Sequence, residues 1–133
     1  MAVPNRNKEI KVGNSSEMRG REFEVQTEKT HTRIKICADR LDALLAPRLK
    51  SELVVLSGSG VANIVMDLNG IAYCDSSGLS AILVAHRLCR TVSGTFVLTG
   101  LSKEVERLIA ISQLDSVLRI AYTEAQVEEM LSH

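Results

Sequence analysis

The chain has no tryptophan, two phenylalanines, two tyrosines and two prolines among its 133 residues. A core this poor in aromatics has to be aliphatic, built from Leu, Ile, Val and Ala. Net charge is also missing, because sixteen basic residues offset sixteen acidic ones. That balance excludes the basic field of a general nucleic-acid binder. It is uneven in place: residues 1–21 carry Arg6, Lys8, Lys11, Arg19 and Arg21 against Glu9 and Glu17. Five scattered cations read as a solvated arm. No apolar run reaches the ~20 residues needed to cross a bilayer. The polar N-terminus lacks the apolar stretch of a secretion signal. Cys37, Cys74 and Cys89 are an odd number, form no CxxC pair and lie in apolar contexts. They predict small buried hydrophobes in a reduced, cytoplasmic protein.

Catalytic signatures are missing in the same way. Cys74-Asp75-Ser76-Ser77-Gly78 is not the G-x-S-x-G elbow of a serine hydrolase. The candidate bases are His31, His86 and His133, and His86 falls on the apolar face of its own helix, about two and a half turns from Ser77. The Cys and His residues lack ligand spacing for a metal. Ser57-Gly58-Ser59-Gly60 lacks the Lys-Ser/Thr of a phosphate loop and ends a helix instead of opening one. These absences predict no catalytic residue, no metal and no cofactor.

The patterning is that of an α/β domain. Residues 1–21 hold Pro4, Gly13, Gly20 and several Asn and Ser without apolar periodicity, and are read as a flexible arm. Residues 22–133 are read as one domain. Phe23, Val25 and Thr27 alternate with charged and polar residues, as do Ile34 and Ile36, which predicts a hairpin turning at Glu28-Lys29-Thr30. Pro47 is tolerated only in a first helical turn, so a helix begins near Leu45 or Ala46 and faces inward with Leu49, Leu53 and Leu56. Strands are expected at 62–68, 95–99 and 117–120. Helices are expected at 76–91, after Ser102, and after Thr123, where Thr123 and Gln126 have capping-box spacing. The order β-β-α-β-α-β-α-β-α implies a largely parallel sheet with crossover helices.

The most informative stretch runs from Ile64 to Leu79. Ile64-Val65-Met66 fits a strand buried on both faces, and Leu79, Ile82, Leu83, His86 and Cys89 recur at helical spacing. Asp75, Ser76 and Ser77 therefore stand where a helix opens, at the carboxyl end of a strand. Plain capping would account for one of them. Three in a row at the edge where open α/β sheets meet ligands and partners point to recognition as well.

These residues carry a resemblance to the STAS domain family, specifically its bacterial anti-sigma-factor antagonists. It rests on Arg40-Leu41-Asp42, on Ile64-Val65-Met66-Asp67-Leu68 running through Asn69-Gly70-Ile71 to Asp75-Ser76-Ser77-Gly78-Leu79, on Gly94-Thr95-Phe96-Val97-Leu98, on Leu101-Ser102 through Val105, and on Thr123-Glu124-Ala125. The resemblance covers roughly residues 22–133. It implies a STAS-type single domain with a mixed central sheet of about five strands against about four helices. It implies a binding switch without catalysis, whose partner is a serine-kinase anti-sigma factor, with no direct nucleic acid and no membrane. Carried over, Ser76 is the phosphoacceptor, and Asp39, Arg40, Asp75, Ser76, Ser77 and Gly78 form the partner surface, Gly78 allowing close approach. Ala38 stands where the family often has Gly, and Cys74 where a larger apolar residue is common. Two other readings use the same residues: an unphosphorylated STAS adaptor in a lipid-transport or stress-signalling complex, and a small hydrolase pairing Ser76 with His86. The oligomeric state is open at this level.

Overall fold

Apolar residues alternating with charged ones make the first long hairpin. In a computed structural model that describes residues 15–19 and 22–132, strand β2 (Phe23–Thr27) and strand β3 (Thr32–Ile36) pair antiparallel. Phe23, Val25, Ile34 and Ile36 turn into the core, while Arg33 and Lys35 face the other side. A further strand, β1 (Ser15–Arg19), pairs antiparallel with β2 at the sheet edge. It falls inside the segment read from sequence as an arm. Ser-Ser-Glu-Met-Arg has no apolar alternation, and what places it in the sheet is backbone pairing with β2. The rest of that arm, residues 1–14, 20 and 21, lies outside the described residues.

From β3 onward the sheet is parallel. Strands β5 (Ile64–Asp67), β7 (Phe96–Thr99) and β8 (Arg119–Ala121) complete a six-stranded sheet in the order β1-β2-β3-β5-β7-β8. This is the mixed sheet expected, with one more strand. The last strand sits a residue or two later than 117–120, because a single 3-10 turn at Leu114–Ser116 precedes it. Leu118 still reaches the core from the connection.

Helices α1 (Ala46–Gly58), α2 (Ser76–Thr91) and α3 (Lys103–Ile111) cover one face, and α4 (Glu124–Leu131) the other. The main core joins Ile34, Ile36, Ile64, Met66, Phe96 and Leu98 of the sheet to Leu49 and Leu53 of α1, Ile82 and Ala85 of α2, and Val105 and Ile109 of α3. A smaller cluster of Val65, Val97, Ala121 and Val127, with Met130 and Leu131 packed against it, lies beneath α4. β5 and β7 are therefore buried on both faces, which explains their unbroken apolar runs. In α2, Leu79, Ile82 and Cys89 are buried as expected. Leu83 and His86 are only half-buried, so the inward face is centred on Ala81, Ile82 and Ala85.

Two two-residue strands, β4 (Arg40–Leu41) and β6 (Tyr73–Cys74), form a separate parallel ladder pairing Arg40 with Tyr73 and Leu41 with Cys74. Two residues carry no period, so neither strand is among those expected from the sequence pattern. This ladder is what positions the start of α2.

Candidate functional site

The Asp39 carbonyl accepts the amides of Ala72 (2.8 Å) and Tyr73 (3.2 Å), and the Leu41 carbonyl accepts that of Asp75 (3.3 Å). The chain from Ala72 to Asp75 is thereby stitched to the chain from Asp39 to Leu41, bringing together residues more than thirty positions apart. The Arg40 guanidinium lies over the Tyr73 ring at 4.4 Å from its centroid, a cation–π contact. Its Nε is 3.5 Å from Asp42 Oδ2. Asp42 Oδ1 in turn accepts the amides of Leu44 (3.1 Å) and Leu45 (3.3 Å). Desolvation is the largest single influence on Asp42 and opposes its charge, yet the Leu45 and Leu44 amides and Arg40 together hold its pKa below the usual value.

At the start of α2, Asp75 is the N-cap. Its backbone is extended (φ −115°, ψ −171°) and its Oδ1 accepts the amide of Gly78 at 3.1 Å. Ser76 and Ser77 are the first two helical residues. Ser76 is exposed and Ser77 half-buried, and neither hydroxyl is hydrogen-bonded among the described residues. Gly78, expected on the partner surface, is buried. A Cβ there would lie 2.4 Å from the Leu41 carbonyl oxygen and 2.6 Å from Cys74 Sγ. Its missing side chain lets α2 seat against β4 and β6, a contact within the chain. Asp39 and Arg40 are both exposed on the same edge.

Cys74, beneath this junction, is buried, and desolvation followed by the Asp75 charge pushes its thiol up to about 12. Cys89 is likewise pushed up, to about 11, by burial. Cys37 is half-buried, and all three are free thiols. Among the described residues no group of three or more His, Cys, Asp or Glu is placed to hold a metal ion, and no helix is long and apolar enough to cross a membrane.

Among the described residues neither histidine is placed as a base for Ser76. His86 lies ten residues from Ser76 along α2, about 15 Å at the helical rise, with its ring edge-on to Phe96 at 6.5 Å. Burial, then Arg90 and Arg87, lowers its pKa. His31 is in the loop at the opposite end of the sheet, its Nδ1 3.0 Å from Thr30 Oγ1. His133 lies outside the described residues.

Sequence reasoning missed two residues of this region. Tyr73, 44% exposed, carries Arg40. Lys50 of α1 lines an open depression of about 260 Å³ between α1 and α2, together with Ala43, Ala46, Pro47, Ser76, Ser77 and Ser80. Lys50 follows Ala46 by four positions, so i,i+4 spacing on α1 would have placed both on one helix face. Nothing in the sequence says that this face borders α2.

Comparison with known proteins agrees with this geometry. The anti-sigma-B factor antagonist of Listeria monocytogenes is 31% identical over 90 residues, spanning 68% of this chain and 79% of that protein. Among solved structures, the anti-sigma factor antagonist SpoIIAA in its unphosphorylated form superposes with a TM-score of 0.70 at 18% identity, covering 84% of this chain and 97% of that one. A STAS domain protein of Planctomyces limnophilus gives 0.71 at 18% identity, covering 84% and 98%. Residues 9–127 match the STAS domain family as a whole, and with that span, this sheet and this capped α2 the chain belongs to the STAS domain family.

Proposed function

We propose that this chain is an anti-sigma-factor antagonist whose binding is switched by phosphorylation of Ser76. Unmodified, it binds a serine-kinase anti-sigma factor and frees a sigma factor; modified, it lets that partner go. The observation that carries the reading is Ser76 itself. It is an exposed hydroxyl in the first turn of α2, a helix whose cap is already supplied by Asp75. The hydroxyl is not needed to hold the fold, so it is available for chemistry.

The partner would carry the nucleoside triphosphate. Ser76 Oγ bonds to the γ-phosphorus as the bond from that phosphorus to the diphosphate oxygen breaks, and the serine proton passes to a base on the kinase. The product adds about −1.5 to −2 charges at neutral pH. At the first turn of α2 the helix amides and dipole tolerate that charge, so the domain stays folded. At an interface fitted to a neutral hydroxyl the same charge faces no partner, and binding weakens. Asp39 and Arg40, exposed beside Tyr73 on the same edge, extend the surface that the partner reads. Relatives named as anti-sigma factor antagonists support this assignment, and SpoIIAA is known in both an unphosphorylated and a phosphorylated form.

The test is phosphate incorporation from the host's kinase fraction with ATP. Wild type is expected to take up one phosphate, mapped to Ser76 by mass spectrometry, and Ser76→Ala none. Undiminished incorporation into Ser76→Ala overturns the site. Absence of phosphoserine from the native protein under every growth condition favours the unphosphorylated adaptor.

A further inference from the structure

We propose that the Lys50 ammonium pairs in cis with the phosphate carried by Ser76, so that the modified residue is held across the groove between α1 and α2. This deepens the reading of Ser76 as phosphoacceptor and rests on it. The depression beside Ser76 is lined by one cation, Lys50, by the hydroxyls of Ser76, Ser77 and Ser80, and by no carboxylate. Ala43, Ala46 and Pro47 supply the remaining wall. Once Ser76 is esterified, the Lys50 ammonium and the hydroxyls of Ser77 and Ser80 are the donor set left for the phosphate oxygens. Lys50 has no ion pair or hydrogen bond among the described residues, so its charge is uncommitted. By contrast Arg48, two residues earlier on α1, is bound to Glu22 at 2.5 Å. About 260 Å³ holds several water molecules at roughly 30 Å³ each, and so admits a phosphoryl group without moving either helix.

The other charges around the position come from two directions. Asp75 at the start of α2 repels a phosphate, though its Oδ1 is engaged by the Gly78 amide. Asp42, in the turn after β4, is paired with Arg40. Among the described residues Lys50 is the one charge lining the depression beside Ser76, and it has the attractive sign. A consequence is that aspartate is a poor substitute for phosphoserine here, since its shorter side chain and single charge reach less far toward Lys50.

The experiment uses full-length protein with phosphoserine installed at position 76 during translation, which needs no kinase. The inference can thus fail while the kinase reading stands, and the reverse. A neighbouring cation stabilises the phosphate dianion, so the 31P titration midpoint lies below the ordinary value near 6. Lys50→Ala is expected to raise that midpoint by about 0.5 unit, and Lys50→Arg to restore it. A midpoint unchanged by Lys50→Ala overturns the inference. So does a rise that Lys50→Arg fails to reverse, because that assigns the effect to packing.

Discussion

In α4 the Thr123 hydroxyl accepts the amide of Gln126 at 3.1 Å, and Glu124 follows in the first turn. In α2 the Asp75 carboxylate accepts the amide of Gly78 at 3.1 Å, and two serines follow. The two helices solve the same problem of orphan amides with the same spacing. They differ in what they do with the first turn. α4, like α3 with Glu104 and Glu106, fills it with permanent negative charge that suits the dipole. α2 leaves that place to neutral hydroxyls, so a negative charge can be added there later. The start of α2 is the kind that the proposed phosphorylation of Ser76 requires.

The largest expected effect concerns the thiol beneath α2. With its pKa near 12, Cys74 is about one part in ten thousand thiolate at pH 8, so alkylation is slowed about a thousandfold relative to a free thiol. Rapid labelling of Cys74 in the native protein, measured by mass spectrometry, would show that the α2 start is not seated as described. The sign with pH follows from the same shift. Below pH 9 this thiol costs the fold nothing; as pH rises from 9 toward 12 the unfolded chain ionises and the folded one resists, so stability falls.

Next in size is Gly78→Ala. The added methyl meets backbone at 2.4 Å, and a loss of about 3 kcal/mol in urea unfolding is expected, with faster Cys74 labelling. Asp75→Ala removes a cap and is expected to cost about 1 kcal/mol, and Thr123→Ala about the same or less. The comparison is sharpened by a second readout. Phosphate incorporation changes in Asp75→Ala and stays at the wild-type rate in Thr123→Ala. Equal effects of the two on phosphorylation would erase the distinction between the helices. The smallest effect is Arg33→Ala. Its bridges to Asp67 (3.2 Å) and Glu124 (2.6 Å) tie the start of α4 to the sheet from a partly exposed position, and about 0.5 kcal/mol is expected in thermal unfolding.

Much of this was legible in the residues, for physical reasons. Period-two alternation marked β2 and β3, and the leucines at 49, 53 and 56 marked α1. Asp75 and Thr123 announced their helices because caps act over three residues. Other features have no such local signature. β1 is an edge strand without apolar alternation, and β4 and β6 are two residues each. Their pairing sets Arg40 on Tyr73 and fixes where Ser76 emerges. The box at α4 also closes differently from its pattern: Gln126 Oε1 accepts the amide of Tyr122, at 2.6 Å, where the spacing pointed to Thr123. Gly78 shows the limit most clearly. Its smallness was visible, but whether that serves a partner or Leu41 depends on a contact 37 positions back in the chain. Lys50 was overlooked for the same reason, since its neighbour across the groove is set by how α1 and α2 pack.

The central claim is that a charge on Ser76 changes binding and leaves the fold alone. Its most direct test is the affinity of the cognate anti-sigma factor for unmodified protein and for protein carrying phosphoserine at position 76, measured side by side with circular dichroism on both. The account predicts superimposable spectra and binding weakened at least about tenfold, equivalent to roughly 1.4 kcal/mol. Equal affinities, or a spectrum changed by the phosphate, would contradict it.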